Sequence, residues 1–155
     1  MESQIKLALI IGLATALGAT ASYAETIANC SDLEGYAYYQ QQGPITEKNS
    51  GWTKDKISEG TIALQSSGSG YDIVYVDSTK KMSSTLQDDK AKITLLNKTA
   101  NEIMLLVQLP SGGSDIYRFF KQSDGSNKIA LISARTQIPK SSLMVGNCDY
   151  INLAN

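Results

Sequence analysis

Residues 61–77 read T-I-A-L-Q-S-S-G-S-G-Y-D-I-V-Y-V-D, and this stretch decides the fold class. In its second half Tyr71, Ile73 and Tyr75 fall on every other position, the period of two that is typical of a β-strand. The serine- and glycine-rich residues 66–70 between the two halves are typical of a turn. We therefore predict two antiparallel strands joined in a hairpin.

The same pattern of short apolar segments and turn residues continues along most of the chain. It predicts an all-β fold of about eight or nine strands, built as a single antiparallel meander barrel or sandwich. The run I-M-L-L-V-Q-L at 103–109 should be the most buried strand, and one short helix at most is expected, at 53–59. The predicted strands are 34–40, 61–66, 71–77, 82–87, 92–97, 103–109, 115–121, 128–134 and 141–145.

The amino terminus has the pattern of an export signal. Lys6 precedes an uncharged apolar run at 7–17, and small residues then lead to Ser22-Tyr23-Ala24. We predict a signal peptide at 1–24 that is cleaved after Ala24, with Ala21 as the alternative, and a single β domain at 25–155. The run is shorter than the roughly 20 residues of a membrane span, so we expect an exported protein, periplasmic or extracellular, with no span in the mature chain.

The two cysteines lie near the two ends of the predicted domain. In an oxidising compartment, such a pair predicts one disulfide, Cys30–Cys148. A redox-active pair is the alternative, but the chain has no Cys-x-x-Cys motif, and Asp149 next to Cys148 opposes thiolate formation. We therefore interpret the pair as a structural bond that joins the first strand to the last.

Composition excludes several kinds of chemistry. The chain has no histidine, so it can form neither a Ser-His-Asp nor a Cys-His catalytic group and no histidine-bound metal. A net charge of −1 argues against nucleic-acid binding. Asp88-Asp89 lacks the remainder of a calcium-loop pattern. We predict no catalytic residue, no metal and no cofactor. A carboxylate-based hydrolase would have to use acids that we interpret as solvated strand ends: Asp55, Asp72, Asp77 and Asp115.

Aromatic residues are the best candidates for a binding surface. Nine of them could line a ligand-binding mouth or contact a partner, although core packing is the simpler interpretation: Tyr36, Tyr38, Tyr39, Trp52, Tyr71, Tyr75, Tyr117, Phe119 and Phe120. Of these we single out Tyr38, Tyr39 and Trp52 as candidate binding residues. Because adjacent residues on a strand point to opposite faces, either Tyr38 or Tyr39 should point away from the main core.

Two resemblances extend this interpretation. The segments G-W-T-K-D at 51–55, Y-D-I at 71–73 and V-G-N-C at 145–148 look like those of small exported bacterial proteins of no assigned activity. The segment S-G-S-G-Y at 67–71 is similar to the Ser-Gly-x-x-Tyr loop of periplasmic lysozyme inhibitors, which implies that Ser67 and Tyr71 contact a lysozyme cleft. A flexible hairpin turn is the competing interpretation of the same residues.

Taken together, these features favour an exported binding protein that is not an enzyme. Its partner would be a protein or a small apolar ligand. The alternative is an inhibitor of a cell-wall hydrolase such as lysozyme, and a carboxylate-based hydrolase is the least favoured function.

Overall fold

Nine antiparallel strands form one sheet that curls into a half-barrel. The computed structural model describes residues 24–68 and 70–153, so the predicted signal peptide lies outside the described residues except for Ala24. Within these two ranges no helix has the length and apolar character to cross a membrane. The elements are β1 (Glu25–Tyr39), a 3₁₀ turn (Glu47–Asn49), β2 (Gly51–Ser67), β3 (Gly70–Val76), β4 (Met82–Ser84), β5 (Lys92–Lys98), β6 (Glu102–Gln108), β7 (Ser114–Lys121), β8 (Asn127–Arg135) and β9 (Lys140–Ile151).

The strand order is β4-β3-β2-β1-β9-β8-β7-β6-β5, so two series of hairpins meet where the first strand pairs with the last. Every neighbouring pair is antiparallel, which makes the two outermost strands, β4 and β5, run in the same direction. A tight hairpin cannot join parallel strands. Residues 85–91, the β4–β5 link, therefore connect the two edges without pairing them. The prediction of an antiparallel all-β domain is confirmed, and of its two forms the half-barrel is closer to a barrel than to a sandwich.

Residues 53–59, the one segment where a short helix was plausible, belong instead to β2, and the limit of one short helix is met by the 3₁₀ turn. They pair along β1 in a regular register in which Thr53 faces Ala37, Asp55 faces Gly35 and Ile57 faces Leu33. Pairing with a distant strand outweighs the local preference of a charged segment, a context effect that is usual for strands. The first two strands are accordingly much longer than the sequence pattern indicated.

The core lies on the inner face of the curl. In β6 the inward-pointing Ile103, Leu105 and Val107 are fully buried, whereas Met104 and Leu106 between them are only partly buried. The apolar run therefore alternates between two faces instead of being buried on both. Cys30 and Cys148 face each other across β1 and β9 and are bonded, which confirms the predicted disulfide.

Candidate functional site

A cavity of about 500 Å³ opens on the inner side of the curled sheet. Strands β2 and β3 form one wall, β7 and β8 form the opposite wall, and the β4–β5 link lies between them. Aliphatic side chains make up much of its surface: Ile57, Ile62, Val76, Leu109 and Leu131. Ionisable side chains contribute the rest of its chemistry: Tyr75, Asp77, Asp89, Asp115, Tyr117 and Arg135.

Asp115 is the central polar residue of the cavity. It is only 1% exposed, yet both of its carboxylate oxygens have partners. The Ser133 hydroxyl donates to Oδ1 at 2.6 Å, and the Arg135 guanidinium forms an ion pair with Oδ2. The β7–β8 register places Asp115 directly opposite Ser133. Burial raises the pKa of Asp115, and the hydrogen bond from Ser133 and the charge of Arg135 counteract part of that rise.

Two tyrosine hydroxyls also belong to the cavity. Tyr75 donates to Asp89 Oδ2 at 3.0 Å, and the Tyr117 hydroxyl lies 3.5 Å from Asp115 Oδ2. Burial raises the pKa of Tyr75, and the nearby Asp89 raises it further. Burial also raises the pKa of Tyr117, with Asp115 adding to the effect. Both tyrosines are therefore protonated at neutral pH and act as fixed hydrogen-bonding groups.

The acids singled out from the sequence have different roles. Asp77 and Asp115 line the cavity. Asp72 instead anchors the start of the β4–β5 link by accepting hydrogen bonds from Ser84 Oγ at 2.5 Å, Thr85 Oγ1 at 2.9 Å and the backbone N–H of residue 86 at 3.2 Å. Asp55 forms an ion pair with Lys140 across β1. The interpretation of all four as solvated strand ends is therefore wrong for Asp55, Asp72 and Asp115.

Sequence reasoning missed two ionisable residues of the cavity, Asp89 and Arg135, and also Ser133, which donates a hydrogen bond to the cavity residue Asp115. Asp89 lies in a loop and has the appearance of an ordinary solvated acid. Ser133 and Arg135 reach Asp115 only because of the register in which β8 pairs with β7. The spacing Ser133-x-Arg135 does place both residues on one face of a strand, and this was the available signal.

The aromatic candidates occupy two faces of the sheet. Tyr38 and Trp52 are cross-strand neighbours on the outer face, with their rings edge to face and their centroids 5.5 Å apart. Trp52 is 73% exposed. Tyr39 has the opposite orientation, as expected for adjacent strand residues, and the Lys140 ammonium lies 5.6 Å from its ring centroid. None of the three lines the cavity.

The residues of the lysozyme-inhibitor resemblance lie at the β2–β3 hairpin. Ser67 is the last residue of β2 and pairs with Gly70, the first residue of β3. Tyr71 is partly buried and packs against the core. The structure therefore separates Ser67 and Tyr71 from the aromatic pair on the outer face.

The outer face of the sheet carries exposed apolar side chains at its centre. We call this group the outer apolar surface; it consists of Tyr36, Tyr38, Trp52, Ile132, Leu143 and Val145. Cross-strand register places Tyr36 beside Leu143 and Leu143 beside Ile132, which makes a continuous row over β1, β9 and β8.

Among residues 24–68 and 70–153, no group of three or more acidic or cysteine side chains is placed to hold a metal ion. Comparison of the chain with models of protein families, with curated proteins and with solved structures finds no match.

Proposed function

We propose that this chain is an exported, non-catalytic binding protein whose ligand site is the cavity inside the half-barrel. The observation that carries the proposal is a cavity of about 500 Å³ with aliphatic walls and a few convergent polar groups. Sites for small molecules have this size and composition, and they occur in the mouths of β-barrels. The disulfide supports export, because such bonds persist in oxidising compartments.

The lining favours a ligand with an apolar body and one hydrogen-bonding end. Side chains such as Ile62 and Leu131 offer dispersion contacts and release water when they are covered. Tyr75 and Asp89 supply a hydroxyl and a carboxylate that can orient the polar end. The ion pair of Asp115 and Arg135 would not need to be broken, so binding would avoid leaving a buried charge without its partner.

Binding is favoured over hydrolysis because the buried acid, Asp115, already has hydrogen-bonding partners. A general acid or base must offer an oxygen to its substrate, and both oxygens of Asp115 are engaged by Ser133 and Arg135. A protonated tyrosine such as Tyr117 is a hydrogen-bonding group and a poor nucleophile. The hydrolase hypothesis stays a prediction, with Asp77 and Asp89 as the remaining acids of the cavity.

The proposal is tested with the neutral apolar dye N-phenyl-1-naphthylamine, whose fluorescence rises in apolar sites. We expect saturable binding with one site per chain. Gln137→Trp places a large side chain at an exposed position of the cavity lining and should weaken binding at least tenfold. Ile138→Trp is the matched control, because Ile138 is also exposed and does not line the cavity. Absence of saturable binding, or equal binding by both variants, would contradict the proposal.

Inhibition of lysozyme through Ser67 and Tyr71 stays a prediction. Packing of Tyr71 against the core leaves less of its side chain available to enter a cleft. An assay of lysozyme activity in the presence of the exported protein decides the matter. Inhibition that Tyr71→Ala abolishes in a folded variant would support the inhibitor hypothesis, and no inhibition of any lysozyme type would eliminate it.

A further inference from the structure

The outer apolar surface lies in the middle of the sheet and not at its edge strands. In the strand order, β1, β9 and β8 are the fourth, fifth and sixth of nine strands. Tyr36, Leu143 and Ile132 lie side by side on these strands and are 54%, 53% and 51% exposed. A row of this kind on central strands differs from the single exposed apolar residues that any protein surface carries.

Folded domains normally bury an apolar sheet face under a second layer. Here every strand of residues 24–68 and 70–153 belongs to the same sheet, and the core lies on its inner side. The outer apolar surface therefore has no second layer within the described chain. A patch of this kind usually marks an interface.

We propose that the outer apolar surface is the interface of a symmetric dimer of this chain. The six side chains together expose on the order of 600 Å², close to the roughly 800 Å² that each partner buries in a standard interface. A chain with a net charge of −1 has little long-range repulsion against its own copy. These two properties make a second copy the occupant that fits this surface.

The strand register suits two-fold symmetry. Leu143 lies on β9, the central strand of the nine, with Tyr36 on one side and Ile132 on the other. A two-fold axis near Leu143 brings it against Leu143 of the partner subunit, and the aromatic residues on β1 and β2 then extend the contact. Tyrosine and tryptophan are enriched in such interfaces. Because the outer face of the curl is convex, the contact is centred on β9.

Sedimentation equilibrium over a concentration series of the exported protein tests the dimer. We expect a concentration-dependent shift from monomer to dimer between about 1 and about 100 µM. Ile132→Thr replaces one apolar side chain of the row with a polar one that is equally common in strands. This change should raise the dimer dissociation constant at least tenfold. Ile138→Thr is the matched control, because Ile138 is 55% exposed but lies in the turn before β9, and it should leave the constant unchanged.

Three results would overturn the proposal. The first is a monomer at every concentration. The second is a dimer that Ile132→Thr and Leu143→Thr, each checked for folding by circular dichroism, leave intact. The third is a monomer that binds vesicles of phosphatidylethanolamine and phosphatidylglycerol through these residues, which would identify a lipid surface as the occupant.

Discussion

Reduction of the Cys30–Cys148 disulfide should remove a large part of the stability of the fold. The two cysteines are 118 positions apart, so the bond closes almost the entire domain into one loop. In the chain-entropy model, a loop of this length restricts the unfolded state by about 5 kcal/mol at 25 °C. Domains of this size are commonly stable by only about 5–15 kcal/mol. The reduced protein should therefore retain only about 0–10 kcal/mol of stability and lose between a third and all of that of the oxidised protein.

The assay is urea unfolding followed by far-ultraviolet circular dichroism, with and without a reductant that stays in excess throughout. With a slope of roughly 2 kcal/mol per molar urea, the midpoint should fall by about 2 M or more. The Cys30→Ala/Cys148→Ala double variant is a useful comparison. It loses the cross-link and also leaves two small gaps in the core, so it should be less stable than the reduced natural protein.

Reduction should also change the folding kinetics. If β1 and β9 already pair in the transition state, reduction should mainly slow folding, because the two strands must then find each other from opposite ends of the chain. A reduced protein within 1 kcal/mol of the oxidised one would refute the magnitude. A loss of stability seen mainly as faster unfolding would instead place the pairing of β1 and β9 after the transition state.

Three further changes test the inner architecture. Burial raises the pKa of Asp115, so the folded protein binds this proton more tightly than the unfolded chain does. The free energy of unfolding of the natural protein minus that of Asp115→Asn should therefore fall as the pH rises from about 4 to about 7, and a rise in this difference would contradict the assignment. Gly35→Ala would place a methyl group 2.0 Å from a carbonyl oxygen of β9 and should cost roughly 3 kcal/mol or more in urea unfolding, whereas Gly43→Ala, with open space but a φ of +59°, should cost about 1 kcal/mol. Asp72→Asn should speed amide hydrogen exchange in residues 84–91, because the Asp72 carboxylate holds this segment by three hydrogen bonds. Equal exchange rates in this variant and in the Asp77→Asn control would show that the hydrogen bonds of Asp72 do not hold the segment in place.

Most strands could be located from the sequence because their signals are local. Alternation with period two and the turn residues between segments identify a strand without reference to its partners. The segment at 53–59 could not be identified in this way, since its charged side chains are compatible with a helix and only pairing with β1 makes it a strand. The lengths of the strands were underestimated for the same reason: β1 begins at Glu25, well before the aromatic segment from which it was predicted.

The candidate site was much less predictable than the strands. The sequence suggested nine aromatic residues without separating them: Tyr75 and Tyr117 line the cavity, whereas the three that were singled out, Tyr38, Tyr39 and Trp52, lie outside it. All of them share the same local pattern of a tyrosine or tryptophan on or near a strand. Which face of a sheet becomes its inside depends on the direction in which the sheet curls, and that direction is a property of the whole domain.

By itself the sequence determined the all-β character of the chain, the bond between Cys30 and Cys148 and the exclusion of histidine chemistry. The fold class and the lack of histidine chemistry follow from local pattern and composition, and the disulfide follows because each cysteine has only one possible partner. Only the tertiary structure decided that β4 and β5 remain apart, that Asp115 meets Arg135 inside a cavity, and that an apolar row faces outward. The physical reason is that strand order, register and curvature depend on pairings between distant segments, and these have no signature within any one segment.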